Sequence, residues 1–204
     1  TVRLPLRGPE GANGSVMGSS IHKRKVALIL ALGMVTVAVA DTATGPIVYS
    51  ALQGSAWDLW TINPDTRKST PLTQTPERDE RSPAWSRDGS KIAYSASDGA
   101  IWVVGADGNN AKKIATGDGH CDHPTWHPDN TSLTYAVSKI EAGEVSELWQ
   151  VRLDGSETAK KLFSANRAEH YPAWSPKKEL LAFSHFEKDA DQVITNELVL
   201  WDKR

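Results

Sequence analysis

Ser82-Pro83-Ala84-Trp85-Ser86-Arg87-Asp88-Gly89 occurs in this chain in three versions. It returns as His123-Pro124-Thr125-Trp126-His127-Pro128-Asp129-Asn130 and as Tyr171-Pro172-Ala173-Trp174-Ser175-Pro176-Lys177-Lys178, with successive Pro-x-Trp pairs 41 and 48 residues apart. Self-similarity at such a period marks stacked copies of one supersecondary unit, none of which can bury its apolar surface alone.

The segments downstream of each copy repeat as well. Behind Gly89 come Lys91-Ile92-Ala93-Tyr94-Ser95, Ala100-Ile101-Trp102-Val103-Val104, Asp107-Gly108 and Ala111-Lys112-Lys113-Ile114-Ala115. Behind Asn130 come Ser132-Leu133-Thr134-Tyr135-Ala136, Glu147-Leu148-Trp149-Gln150-Val151, Asp154-Gly155 and Ala159-Lys160-Lys161-Leu162-Phe163. Short β-branched and aromatic runs bounded by Gly, Asp or Asn read as strands joined by hairpins. Asp-Gly suits a tight turn because both residues tolerate positive φ. One unit is therefore four antiparallel strands, A to D, with Pro-x-Trp on A.

These residues resemble the TolB-type β-propeller repeat, a WD40-like (PD40-type) unit of the form Pro-x-Trp-Ser-Pro-Asp-Gly, Ile-Ala-Tyr, Leu-Trp, Asp-Gly. The resemblance covers residues 45–204. It implies an all-β arc of four blades, with strand A innermost and the D–A connections at one mouth of a channel. Unit 1 begins at strand B (Pro46 to Ser50) with no Pro-x-Trp before it, and unit 4 reaches only strand C (Glu197 to Trp201). The expected strand count is three, four, four and three. The chain reads as part of a larger propeller.

Ahead of the repeats, His22-Lys23-Arg24-Lys25 precedes an apolar run from Val26 to Ala40 that ends in Ala38-Val39-Ala40. A basic segment, an apolar segment and a small-x-small site describe a secretory signal peptide. The run is shorter than the ~20 residues a spanning helix needs. Residues 17–40 are thus expected to form a leader, helical over 22–40 and cleaved after Ala40, with no membrane attachment afterwards. Residues 1–16 are expected to lie outside the fold. Beyond the leader there are 18 basic and 24 acidic residues, a net charge of −6. That balance argues against nucleic acid, whose partners are basic. Cys121 is the single cysteine, so no internal disulfide is possible.

Seven of the eight Trp fall on two repeat positions: Trp85, Trp126 and Trp174 on strand A, and Trp60, Trp102, Trp149 and Trp201 on strand C. Trp57 is left over. We read these rings as packing between blades, because aromatic burial dominates core energetics. Trp174 is expected to contribute least, having no following blade.

The residues just before each Pro-x-Trp would face the mouth: Asp79 to Ser82, His120 to His123, and Glu169 to Tyr171. From these the candidate ligand-binding set is Glu80, Arg81, Asp122, His123, His170 and Tyr171. Glu80 stands in it in place of Ser82, since a carboxylate contributes more to a polar site. The competing reading is a solvated loop rim. His120, Cys121, Asp122, His123 and His127, with His170, include metal-ligand types. Their spacing matches no standard zinc motif, and alternation on a strand would turn His120 and His123 apart.

No nucleophile elbow, phosphate loop or His-Glu-x-x-His is present, so no cofactor is expected. The resemblance implies an exported, non-catalytic module binding a protein or peptide of the cell envelope, or a small polar ligand. One alternative is the propeller of a prolyl-oligopeptidase-like serine peptidase. Another is a metal-dependent lyase similar to the oligogalacturonate lyases, with His120, His123 and His170 as ligands.

Overall fold

The structure is a computed structural model that describes residues 2–5, 38–39, 45–139, 145–163, 168–188 and 194–202. Among the described residues, sixteen strands form four antiparallel four-stranded sheets, each a blade. Blade 1 holds β2 (Ala38–Val39), β3 (Ile47–Gln53), β4 (Ala56–Ile62) and β5 (Ser69–Pro71). Blade 2 holds β6 (Glu80–Trp85), β7 (Lys91–Ala96), β8 (Ala100–Gly105) and β9 (Lys112–Thr116). Blade 3 holds β10 (His120–Trp126), β11 (Ser132–Lys139), β12 (Val145–Arg152) and β13 (Lys160–Lys161). Blade 4 holds β14 (Ala168–Trp174), β15 (Leu180–Lys188) and β16 (Ile194–Asp202), joined by β1 (Val2–Pro5).

Two of these strands correct the sequence reading. Blade 1 does have a strand in the A position: Ala38 and Val39 pair with Val48 and Ile47. The leader pattern assigns these two residues to a helix; the rest of that helix lies outside the described residues. Blade 4 does have a strand in the D position: Val2 to Pro5 pair with Leu200 to Glu197. The physical reason is the same at both places. β3 and β16 would otherwise present a row of unpaired N–H and C=O groups, and any extended segment within reach satisfies them.

The core lies between blades rather than within them. Val48 and Leu59 of blade 1 meet Ile92, Tyr94, Ala96 and Val104 of blade 2. Ala93, Ile101, Val103 and Ala115 of blade 2 meet Cys121, Trp126, Leu133, Tyr135 and Val137 of blade 3. Ala136 and Leu148 of blade 3 meet Trp174, Leu181, Phe183 and Val199 of blade 4. Successive residues of one strand thus serve opposite neighbours. On β7, Ile92 and Tyr94 face blade 1 while Ala93 faces blade 3. This explains why β7 and β11 read as nearly continuous apolar runs: both faces of blades 2 and 3 are covered, whereas β3 of blade 1 alternates in burial.

The strand-A tryptophans pack on the preceding blade. Trp126 donates its indole N–H to the Ala84 carbonyl of blade 2 at 2.9 Å, and Trp174 donates to Thr134 Oγ1 of blade 3 at 2.9 Å. Both are buried, whereas Trp85 is half-buried and its indole nitrogen has no partner. Trp174 is therefore not the weak member; its partner blade precedes it. A second correction concerns Trp201. Tyr49, Tyr94 and Tyr135 pair with Trp60, Trp102 and Trp149, but in blade 4 Phe183 pairs with Val199. Trp201 lies two residues further on, opposite Leu181, where blades 2 and 3 carry Val104 and Val151.

Candidate functional site

Strand A is bulged at one place in three blades. Asp122 pairs with Ala136 and Thr125 with Thr134, so three residues on β10 span two on β11. The same slip separates Arg81 from Ala84 and His170 from Ala173. Within each bulge, the residue before proline is left-handed: Ser82 at φ 51°, His123 at 52° and Tyr171 at 53°. Non-glycine residues rarely adopt this region. A bulge re-aims side chains by breaking the strict alternation of the strand. Asp122 and Thr125 consequently share a face although three residues apart.

The bulges bring some of the predicted residues together. The His123 and Tyr171 rings meet edge-on, with centroids 4.5 Å apart. His170 lies 5.9 Å from Tyr171 and 5.4 Å from Phe186, again by ring centroids. Asp122 accepts the His123 backbone N–H at 2.6 Å, and its other oxygen is 3.6 Å from His123 Nδ1. It leans on blade 2, where the Ser95 and Ser82 side chains lie beside its carboxylate. Burial raises the Asp122 pKa, but adjacent His123, the two serines and the His123 N–H outweigh it and hold the group below its usual value. Burial holds His123 below the usual imidazole value, with His120 adding to the effect and Asp122 opposing it.

Arg81 also leans on the preceding blade. Its guanidinium lies 4.1 Å from the Trp57 ring centroid, and it pairs with Asp79 at 3.7 Å. This accounts for Trp57, whose backbone N–H donates to Asp79 Oδ1 at 3.0 Å. Arg81 reaches the Asp122 cluster only through its carbonyl, which accepts from Ser95 Oγ at 3.1 Å.

Glu80 is not a mouth residue. It is fully buried and bonded to Thr73, to Thr75 at 2.7 Å and to Arg78 at 3.2 Å. Arg78 in turn stacks 3.9 Å over Trp102. Alternation decides this, since Glu80 points into the blade 1–blade 2 junction while its neighbour Arg81 points out. Ser82, set aside on sequence grounds, is the residue that belongs in the cluster. Its signal is its equivalence to His123 and Tyr171.

The histidines separate into different settings. His120 sits exposed beside the blade 2 turn at Gly99. Tyr171 packs against both His123 and His170. His127 lies beyond Trp126 at the other end of β10, buried, with Nδ1 3.0 Å from Asp129 Oδ2 and its ring 4.6 Å from Trp174. Cys121 is wholly buried, and burial pushes its thiol up to about 11. Among the described residues, no three His, Cys, Asp or Glu side chains stand close enough together to hold a metal ion.

No family model matches the chain. Solved structures do. A TolB-type protein of Agrobacterium tumefaciens superposes at TM-score 0.63 and 17% identity, over 78% of this chain and 57% of that one. An oligogalacturonate lyase in complex with manganese gives 0.57 and 14%, over 81% and 57%. A prolyl endopeptidase gives 0.55 and 12%, over 83% and 28%. The chain thus spans little more than half the length of the first of these. At such identities the likeness is one of fold, and fold alone does not carry function. The chain has the β-propeller fold of TolB-like structures.

Proposed function

We propose that this propeller segment is a non-catalytic binding module, and that its ligand meets the rim formed by Ser82, Asp122, His123, His170 and Tyr171. One observation carries this reading: three blades place a left-handed, non-glycine residue at the same rim position. Such conformations cost about 1–3 kcal/mol each and cluster at ligand sites. Tyr171 adds an aromatic face with 49% of its surface exposed, and exposed aromatics are favoured anchors in recognition. The partner is a protein or peptide, or a small polar ligand, and no nucleic acid. The lyase reading needs convergent metal ligands and gains no support from the spread of the histidines. The peptidase reading places catalysis in another domain and is compatible with the same rim.

A displayed random-peptide selection tests the proposal. The native protein should enrich binders that Tyr171→Ala and His170→Ala weaken by roughly tenfold or more, the scale of a hot-spot residue. Lys177→Ala, on the A–B turn of blade 4, should leave them unchanged. Equal enrichment by all four proteins would place the binding surface elsewhere.

Export is part of the same proposal and rests on the leader pattern. Cleavage after Ala40 would remove β1 and β2. Exported protein should begin at Asp41 by mass spectrometry, and retention of Val2–Pro5 would overturn the cleavage.

A further inference from the structure

The rim has a charge that its neighbours leave unpaired. Asp122 is ionised at neutral pH, and 27% of its side-chain surface is exposed. Its hydrogen-bond donor is the neutral His123 backbone N–H, and the Ser82 and Ser95 side chains beside it carry no charge. Among the described residues, no lysine or arginine pairs with it. The nearby cations are engaged elsewhere: Arg81 with Trp57 and Asp79, Lys113 with Asp98 at 2.7 Å, and Lys139 with Asp118 at 3.1 Å. Of the titratable groups nearby, His123 acts on Asp122 directly, His120 acts on His123, and Asp98 of blade 2 acts on Cys121, which also feels Asp122. Tyr171 of blade 4 closes on His123. A carboxylate beside an aromatic wall suits a cation, which gains from the charge and from the ring faces.

We infer that this rim takes a primary amine, presented as a peptide α-amino group or a lysine side chain, with its ammonium on Asp122 and its stem along the His123–Tyr171 edge. The inference rests on the rim being the binding surface. It also assigns a role to His123. Protonating His123 supplies an internal cation 3.6 Å from Asp122, which competes with the ligand. Amine binding therefore weakens as pH falls through the His123 titration, below the ordinary imidazole value of 6.5.

The test is a heteronuclear NMR titration of the whole chain with four probes. These are triglycine amide with a free N-terminus, N-acetyl Gly-Lys-Gly amide, N-acetyl triglycine amide and N-acetyl Gly-Glu-Gly amide. The first two should shift the backbone resonances of His123 and Tyr171, and the stronger of them identifies the source of the amine. Asp122→Asn, which keeps an acceptor for the His123 N–H, should weaken that binding roughly tenfold or more. Tyr171→Ala leaves the Asp122 hydrogen bonds intact and should weaken it too. Binding should fall as pH is lowered below about 6.5, and His123→Phe should flatten that fall.

Equal binding of acetylated triglycine, or an Asp122→Asn variant that binds as tightly, overturns the inference. So does the absence of any shift with the amine probes. If the glutamate probe alone shifts the rim and Tyr171→Ala abolishes it, the rim is the site but its ligand is not an amine. If the amine probes shift only residues far from the rim, the rim reading falls with it.

Discussion

Glu80 and Cys121 occupy one structural position in neighbouring blades and do opposite things there. Each is on strand A, directly before the residue that leads into the bulge, and each is wholly buried against the preceding blade. Glu80 carries a charge into that junction and Cys121 carries none at neutral pH. The connection that precedes the strand explains the difference. Residues 72–79 lead into β6 and are long enough to fold Thr73, Thr75 and Arg78 beneath the carboxylate. Only Gly117, Asp118 and Gly119 lead into β10. They pass so close that a Cβ on Gly119 would collide with the Ser138 carbonyl oxygen. A buried charge persists only where partners reach it; a short glycine connection supplies none, so an apolar thiol fills the slot.

The largest expected effect concerns the tryptophans of the two junctions. Trp126→Ala should cost ~3–5 kcal/mol, the range for deleting a buried aromatic. Trp85→Ala should fall below that range, since the ring is half-buried and its N–H is unbonded. Urea denaturation of both variants checks the order, and equal losses would make the junctions equivalent.

Glu80→Ala leaves Arg78 facing a buried void and should cost about 3 kcal/mol, the lower end for breaking a buried pair. Adding Arg78→Ala should recover part of that loss. If the double variant is worse by the sum of both, the network is not coupled.

Gly119→Ala should destabilise by about 1–3 kcal/mol through backbone displacement. Gly155, with open space around it and φ 72°, should tolerate alanine better, at about 1 kcal/mol. A reversed order in thermal denaturation would show that the β9–β10 connection relaxes freely.

Cys121 should resist iodoacetamide at mildly alkaline pH and react only on unfolding, because its thiol titrates at about 11. Rapid labelling of native protein would open the blade 2–blade 3 junction.

The smallest effect is in pH. His123 has a lowered folded-state value, so the unfolded chain binds its proton first. Its contribution is full above about 6.5 and is lost as pH falls through the interval down to the folded value. Replacement by phenylalanine should remove a small slope in stability across that interval, and an unchanged slope would assign it to another group.

Much of this architecture is legible in the residues. Pro-x-Trp, Ile-Ala-Tyr and Asp-Gly recur in order, and each reports a local requirement: a strand, a buried ring or a positive φ. Local requirements survive in sequence because neighbouring residues meet them. The equivalence of Ser82, His123 and Tyr171 is visible for that reason. The candidate site is only half legible. Glu80 and Arg81 are adjacent and both charged, and nothing local says which one turns inward.

Residue order is enough to specify the repeat, the antiparallel unit, the four units of this chain and the tryptophans that fill the junctions, because side-chain period and turn chemistry act over a few residues. The remaining features come from packing between blades. Packing bulges strand A so that His123 meets Tyr171 and Asp122 meets Ser82 and Ser95. It sets Trp201 two residues along the strand from the place its apparent counterparts occupy, and it draws Val2–Pro5 and Ala38–Val39 onto open sheet edges. Those outcomes depend on which groups remain unsatisfied once the blades stack, a condition set by residues tens of positions apart and absent from any local pattern.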